Sequence, residues 1–469
     1  MSPVPADRPV QPTVIPRAAH SISRASISPQ ALKVLYRLKD AGYQAFLVGG
    51  SVRDLLLGIV PKDFDVATNA LPEEIRRVFR NCRLIGRRFR LAHVHFGDEI
   101  IEVATFRASA APEEVDDEDH REVEDVRGDA RALDRNGRIL RDNLYGSIDA
   151  DVWRRDFTAN ALYYNIADFS VWDYVGGAAD VNARVLKLIG DPETRYREDP
   201  VRMLRAARFA AKLGFTLHPG TRAPLKELAP LLGGVPAARL FDECLKLFLG
   251  GHAVAGFERL REFDLLAHFL PSLADELATA PDGEAARLLA LGLAGTDARV
   301  RADRSVTPTF LFAVLLYGPI MRLAAERADA GIPSVQALAE ATDSIVAAQV
   351  RRIAIPKRFT LPLREMLALQ PRFERRDGRK ALALLAHPRF RAAYDLFVLR
   401  AEAGGVSQEL ADWWTEIQTL PAESRAERVA ALAPTEGGAD GPSGAPRRRR
   451  RRRGGGGGRP AGGDGGAPA

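Results

Sequence analysis

Residues 46–68 read Phe-Leu-Val-Gly-Gly-Ser-Val-Arg-Asp-Leu-Leu-Leu-Gly-Ile-Val-Pro-Lys-Asp-Phe-Asp-Val-Ala-Thr, and few backbone paths satisfy them. A short apolar strand from Ala45 to Val48 runs into Gly49-Gly50. A short helix then carries Arg53 and Asp54 and stops at Gly58, a residue type suited to the left-handed position after a helix. A second strand begins near Lys62. Side chains alternate along a strand, so Asp63 and Asp65 share one face while Phe64 and Val66 turn to the core. Two carboxylates this close repel unless a cation lies between them, and hard oxygen ligands suit Mg²⁺. Gly49-Gly50 at a helix start lets backbone N–H groups approach a phosphate. Each feature alone has an ordinary reading, a turn or a solvated strand edge. Together, in strand–turn–helix–strand order, they point to phosphoryl or nucleotidyl transfer.

The chain has 469 residues, enough for two or three domains. Its two cysteines, Cys82 and Cys244, offer neither a disulfide framework nor zinc spacing, which places it in a reducing, cytoplasmic setting. The apolar run Phe310 to Tyr317 is too short to span a bilayer and meets Gly318-Pro319, so no membrane span is expected. The formal charge of +6 is unevenly placed: eight arginines and one aspartate from Arg447 onward leave residues 1–446 at −1. A near-neutral body with one basic tail implies a polyanion as partner.

Along the chain, residues 1–27 read as a disordered leader. A helix follows over 28–42, with Ser28 as N-cap, Pro29 in the first turn and Leu32, Leu35 and Leu38 at helical spacing. Another helix opens at Leu71-Pro72-Glu73-Glu74. Residues 83–107 are strand-rich. Glu102 completes a carboxylate trio with Asp63 and Asp65 if its strand neighbours theirs, and is otherwise an exposed strand glutamate. His93 and His95 have no third ligand near by, which favours packing or RNA contact. Residues 108–141 are densely acidic and read as a mobile excursion. Arg154-Arg155-Asp156-Phe157-Thr158-Ala159-Asn160-Ala161 and a strand pair around Tyr163–Tyr174 come next. A helix start at Asp199-Pro200 then carries Arg202, Arg205 and Arg208 on one broad face, where they need acidic partners or a bound polyanion. From Phe215 to about Gln418 the pattern is helical, with no clear strand. Arg351, Arg352, Lys357, Arg358, Phe359 and Arg364, then Arg372, Phe373, Arg375 and Arg376, mix cations with aromatics, which suits either RNA or a solvated helix face. Arg447–Arg453 and the glycines behind it form a disordered tail.

The Gly-Gly and Asp-Phe-Asp stretch resembles the signature of the nucleotidyltransferase superfamily that holds bacterial poly(A) polymerases and CCA-adding tRNA nucleotidyltransferases. The resemblance implies an α+β chain: a nucleotidyltransferase head of mixed sheet with helices over 28–190, a helical nucleotide-selecting neck over 191–255, a helical RNA-binding region over 256–432 and a disordered tail over 433–469. It implies that Asp63, Asp65 and Asp156 are catalytic, with Asp63 and Asp65 holding two Mg²⁺ ions. Gly49, Gly50, Arg53, Arg155 and Arg205 would contact the nucleotide, and Asp199 and Arg202 of the Glu-Asp-x-x-Arg element would read its base. Within the superfamily, Leu84-Ile85-Gly86-Arg87-Arg88-Phe89-Arg90-Leu91-Ala92-His93, Ile355–Phe359 and His387–Asp395 resemble poly(A) polymerases. The expected reaction is addition of AMP from ATP to RNA 3′ ends with release of pyrophosphate. A monomer that associates with RNA-degradation machinery is the expected physiological form. The alternatives are a CCA-adding or A-adding tRNA nucleotidyltransferase, and a catalytically silent RNA-binding protein on the same scaffold.

Overall fold

A computed structural model describes residues 11–86, 90–107, 132–133, 139–141, 145–376 and 378–432. Helix α1 (Pro29–Asp40) starts where Ser28 Oγ accepts the Ala31 N–H at 3.0 Å, and buries Val34, Leu35 and Leu38. Strand β2 (Ala45–Val48) leads through Gly49 into α2 (Gly50–Leu56), and Gly58 follows at φ 72°. Then come β3 (Asp65–Thr68), α3 (Pro72–Val78), β4 (Cys82–Ile85), β5 (Leu91–Phe96) and β6 (Glu99–Thr105). Asp63 therefore precedes β3 rather than lying in it, and Asp65 opens the strand.

The sheet has eight strands in the order β1-β10-β9-β2-β3-β6-β5-β4, where β1 is Thr13–Ile15, β9 Leu162–Asn165 and β10 Val171–Asp173. Strands β7 (Ala132–Leu133) and β8 (Ile139–Arg141) form a separate antiparallel pair within the acidic excursion. The rest of that excursion, the Arg87–Phe89 part of the distinguishing stretch and the arginine tail lie outside the described residues. Register places a row of side chains on one face of the sheet. His93 pairs with Glu102, Glu102 with Asp65, Asp65 with Val48 and Val48 with Tyr163. Residues directly opposite each other across paired strands share a face. The opposite face, with Leu47, Phe64, Val66 and Val103, joins α1 in the main core. Phe46, Val48, Ala67, Phe106 and Tyr163 form a second cluster with Ile148 and Val152 of α4 (Ile148–Arg154). Burying each such aliphatic side chain contributes about 1.5–3 kcal/mol. The strand thus works on both faces, its alternation holding Asp65 on the row while Val66 anchors beneath.

Three expectations are corrected. Residues 13–27 are not all leader: β1 closes the sheet against β10, and Ile22 and Ile27 are buried in the main core. Thr216–Leu217 forms a two-residue strand, β12, parallel to β11 (Val185–Leu186). Gly318-Pro319 does not end its helix, which runs from Pro308 to Asp329. A proline removes one backbone donor, yet the helix continues past Pro319, and Gly318 lets Glu276 and Ala285 approach where a side chain would collide with them. Among the described residues this is the helix long and apolar enough to cross a membrane, and Leu311 to Ile320 are buried inside the helical body. From α5 (Gly177–Asn182) and α6 (Pro192–Glu198) onward the chain is otherwise helical, and α7 (Val201–Leu213) packs against the helix Ala237–Phe248.

Candidate active site

The carboxylates gather where β3 begins. Asp63 and Asp65 reach solvent and Glu102 is half-exposed on the neighbouring strand, but the protein packed around the Asp65 carboxyl leaves that group largely desolvated. Desolvation, then the Glu102 charge and finally Asp63, push the Asp65 carboxyl up from 3.8 to about 6, with Arg155 pulling the other way. The parallel pairing of β3 with β6 is what makes Glu102 a neighbour of Asp65. His93 Nε2 stands 3.4 Å from Glu102 Oε2 on the far side. Among the described residues no three His, Cys, Asp or Glu side chains converge closely enough to clasp a metal ion as they stand. The donor chemistry nonetheless fits a hard cation: oxygen ligands only, with a carboxyl whose charge is disfavoured until something positive arrives.

Gly49 stands at φ 77°, and its N–H donates to Leu162 O at 3.2 Å, so its own amide is spent within the sheet. A Cβ there would lie 3.6 Å from Arg155 Nη1. Arg53 on α2 is 2% exposed, bonded to Asn160 Oδ1 and, at 2.9 Å, to Asp54 Oδ1. It braces the turn from within, and Gly50 approaches its guanidinium. Arg155 is held by Tyr163 Oη at 2.8 Å and Asp151 Oδ2 at 3.0 Å.

Asp156 is held from two sides, by its own loop and by α7. Its Oδ1 accepts the Phe157 N–H at 2.8 Å, and its Oδ2 accepts Arg205 Nε at 2.7 Å. Burial opposes its charge, but the Arg205 guanidinium overcomes that and holds the carboxyl below its usual range. Arg205 also reaches Glu243, which binds Arg208 Nε at 2.9 Å. The arginine row of α7 has found its acidic partners: Glu198 for Arg202, Asp156 for Arg205, Glu243 for Arg208.

Asp199 ends α6 and stands one residue before Pro200, where its carbonyl accepts the Arg202 N–H at 3.0 Å and its carboxylate the Val201 N–H, so it also serves the start of α7. Burial would raise its pKa, but a forked pair of bonds from Arg239, at 3.0 and 2.9 Å, keeps it low. Arg202 Nη1 donates to Arg195 O at 2.7 Å and Glu198 Oε2 at 3.0 Å. Asp199 and Arg202 therefore stand side by side with separate partners. Arg239 and Glu243, four apart on Ala237–Phe248, carry no motif and escape a reading of the sequence. Asn160 stood within the quoted motif, and its amide now links Arg53 to Asp156, donating to Asp156 Oδ1 at 3.3 Å.

A model of the poly(A) polymerase head domain matches residues 45–187, one of the probable RNA- and SrmB-binding site of polymerase A matches 214–277, and one of the arginine-rich C-terminus of polymerase A matches 330–454. The poly(A) polymerase I of Escherichia coli is 51% identical over 413 residues, covering 87% of this chain and 86% of its own length. This chain belongs to the poly(A) polymerase family. The CCA-adding enzyme of Geobacillus stearothermophilus is 36% identical over 245 residues, covering 52% of this chain and 55% of its own. In structure, a CCA-adding enzyme of Bacillus stearothermophilus in complex with CTP has a TM-score of 0.55 at 23% identity, covering 83% of this chain and 84% of its own, a shared fold. Poly(A) polymerase family membership thus spans head and body, while the CCA-adding likeness in sequence covers 52% of the chain.

Proposed function

We propose that this polynucleotide adenylyltransferase joins AMP from ATP to an RNA 3′ end without a template, at the site formed by Asp63, Asp65 and Glu102. The observation that carries this reading is the row of acids that strand pairing builds: Glu102 lies directly opposite Asp65, and Asp65 opposite Val48, the residue that leads into the Gly49 turn. In the reaction the RNA 3′ oxygen forms a bond to the α-phosphorus, the bond to the β,γ-phosphates breaks, and pyrophosphate leaves. Asp63 and Asp65 would hold two divalent ions, Mg²⁺ by their hard-oxygen preference, and bound there they would lower the pKa of the attacking hydroxyl and screen phosphate charge. Arg155, with Nη1 beside Gly49, binds phosphate oxygens. Asp199 and Arg202 present a carboxylate and a guanidinium to the base edge. The fork from Arg239 fixes how the Asp199 carboxylate points, and so which base it accepts.

RNA is held by the helical body through exposed cations, Arg351, Lys357, Arg358, Arg372 and Arg375. Not every basic or aromatic residue of that stretch serves. Arg352 spends its guanidinium on Leu232 O, at 3.0 Å, and on His268 O, while Phe359 stacks on Phe241. Polyadenylation and turnover of RNA follow from the activity.

Metal stoichiometry tests the site. Titrating Mn²⁺ into the protein with a non-hydrolysable ATP analogue, read by electron paramagnetic resonance, is expected to give two equivalents bound. Asp65→Asn is expected to lower that number. Unchanged binding in the variant would remove Asp65 from the metal site.

A further inference from the structure

We propose that Tyr163, with Asp151, is a positioning residue of the active site: a buried clamp that fixes the Arg155 guanidinium beside the Gly49 turn. The inference rests on the reading of Arg155 as a phosphate contact. Tyr163 is fully buried in β9, in register with Val48 and two strands from Asp65. Packing alone would be served there by any aromatic ring, since Phe46 meets the ring edge-to-face at 6.1 Å. The hydroxyl is a different matter, because a buried O–H has to be partnered. Here it donates to Asp151 Oδ2 at 2.7 Å and accepts from Arg155 Nε at 2.8 Å. Arg155 Nη2 closes the triangle on the same Asp151 oxygen at 3.0 Å, and the guanidinium lies 5.0 Å from the Tyr163 ring centroid. Asp151 is itself pinned, its Oδ1 accepting the Arg107 N–H at 3.3 Å just past the strand that carries Glu102.

The clamp decides which edge of Arg155 remains for a ligand. Nε and Nη2 are committed, while Nη1 has one long contact, 3.5 Å to Asn160 O. Nη1 is also the atom beside the Gly49 turn, 3.6 Å from where a Cβ at that position would stand. A guanidinium held this way has surrendered its rotamer freedom before a triphosphate arrives, so binding loses less entropy.

Steady-state kinetics on the full chain with an unstructured RNA and ATP test this. Arg155→Ala is expected to raise the KM for ATP by about 100-fold and Tyr163→Phe by about tenfold, the order of one or two lost bonds to a charged group. In both, KM changes more than kcat. In an Arg155→Ala background, Tyr163→Phe is expected to change KM less than about twofold, since the residue it positions is gone. Asp151→Asn, which keeps an acceptor but loses the charge, reads the same clamp if Tyr163→Phe fails to fold. A costly Arg155→Ala with a silent Tyr163→Phe, or with equal effects of Tyr163→Phe in both backgrounds, would overturn the clamp alone. An Arg155→Ala variant with unaltered KM would instead remove the phosphate role on which the clamp rests.

Discussion

Asp65→Ala, and equally Asp63→Ala, is expected to lower nucleotide addition by about 10³-fold while RNA binding stays nearly unchanged. The size follows from losing a charge-stabilising site worth several kcal/mol in the transition state, where each 1.4 kcal/mol is about tenfold in rate. RNA affinity is expected to rest on cations elsewhere, the exposed ones of the helical body and the arginines from Arg447 onward. The same residue has an opposite effect on stability. Folding raises the Asp65 carboxyl from 3.8 to about 6, chiefly by burial and by Glu102, so the folded chain holds this proton more tightly than the unfolded one. Its contribution to stability is therefore present below the unfolded value and is lost as pH rises through about 6. Without divalent ions, Asp65→Asn is thus expected to melt higher than the parent above that pH and level with it in acid. Melting curves in chelator on both sides of pH 6 check this. A variant that extends RNA at the parent rate, or melts lower than the parent at neutral pH, would contradict the assignment.

Arg205→Ala is expected to destabilise the protein by about 3 kcal/mol, because it leaves the Asp156 carboxylate inside the protein without its cation. Asp156 is 10% exposed, and its bond to Arg205 joins the chain just after α4, within the head domain, to α7 beyond it. The same change frees Glu243 from one of its two arginines. Adding Asp156→Asn to Arg205→Ala should restore most of the loss, since the second change removes the stranded charge. Denaturant unfolding of the two single variants and the double separates these terms. A loss below about 1 kcal/mol for Arg205→Ala, the value of an exposed pair, would show that the contact is not a strut between the head and α7.

Much of the head could be read from residue order because its signals are local. Alternation of Asp65 and Val66 fixes the faces of β3, although the strand starts two residues later than Asp63, Gly49 and Gly58 mark where the chain must turn, and Ser28-Pro29 opens α1. Glu102 was legible only conditionally, since its role depends on which strand lies beside β3, and the parallel pairing supplies that fact. The arginine row of α7 announced a need for anions without naming them. Glu243 answers Arg208 from 35 residues downstream, and Arg239 meets the Asp199 carboxylate from 40 residues downstream, both on a helix whose sequence shows nothing but amphipathicity. Residues 13–27 misled for a related reason: a three-residue strand and two isolated isoleucines leave no periodicity to detect. In the body, Arg352 and Phe359 suited either RNA contact or a solvated helix face, because composition does not say which way a side chain points. Tertiary packing turns both inward.

The most direct test is extension with purified protein and Mg²⁺, offering ATP or CTP separately to an unstructured RNA and to a tRNA lacking its 3′ end. Long tails made from ATP on the unstructured RNA, with CTP poorly used, are the expected result. Addition confined to two cytidines and an adenosine on the tRNA would contradict it in favour of a CCA-adding enzyme, and no product on either RNA would leave the scaffold as a binder alone.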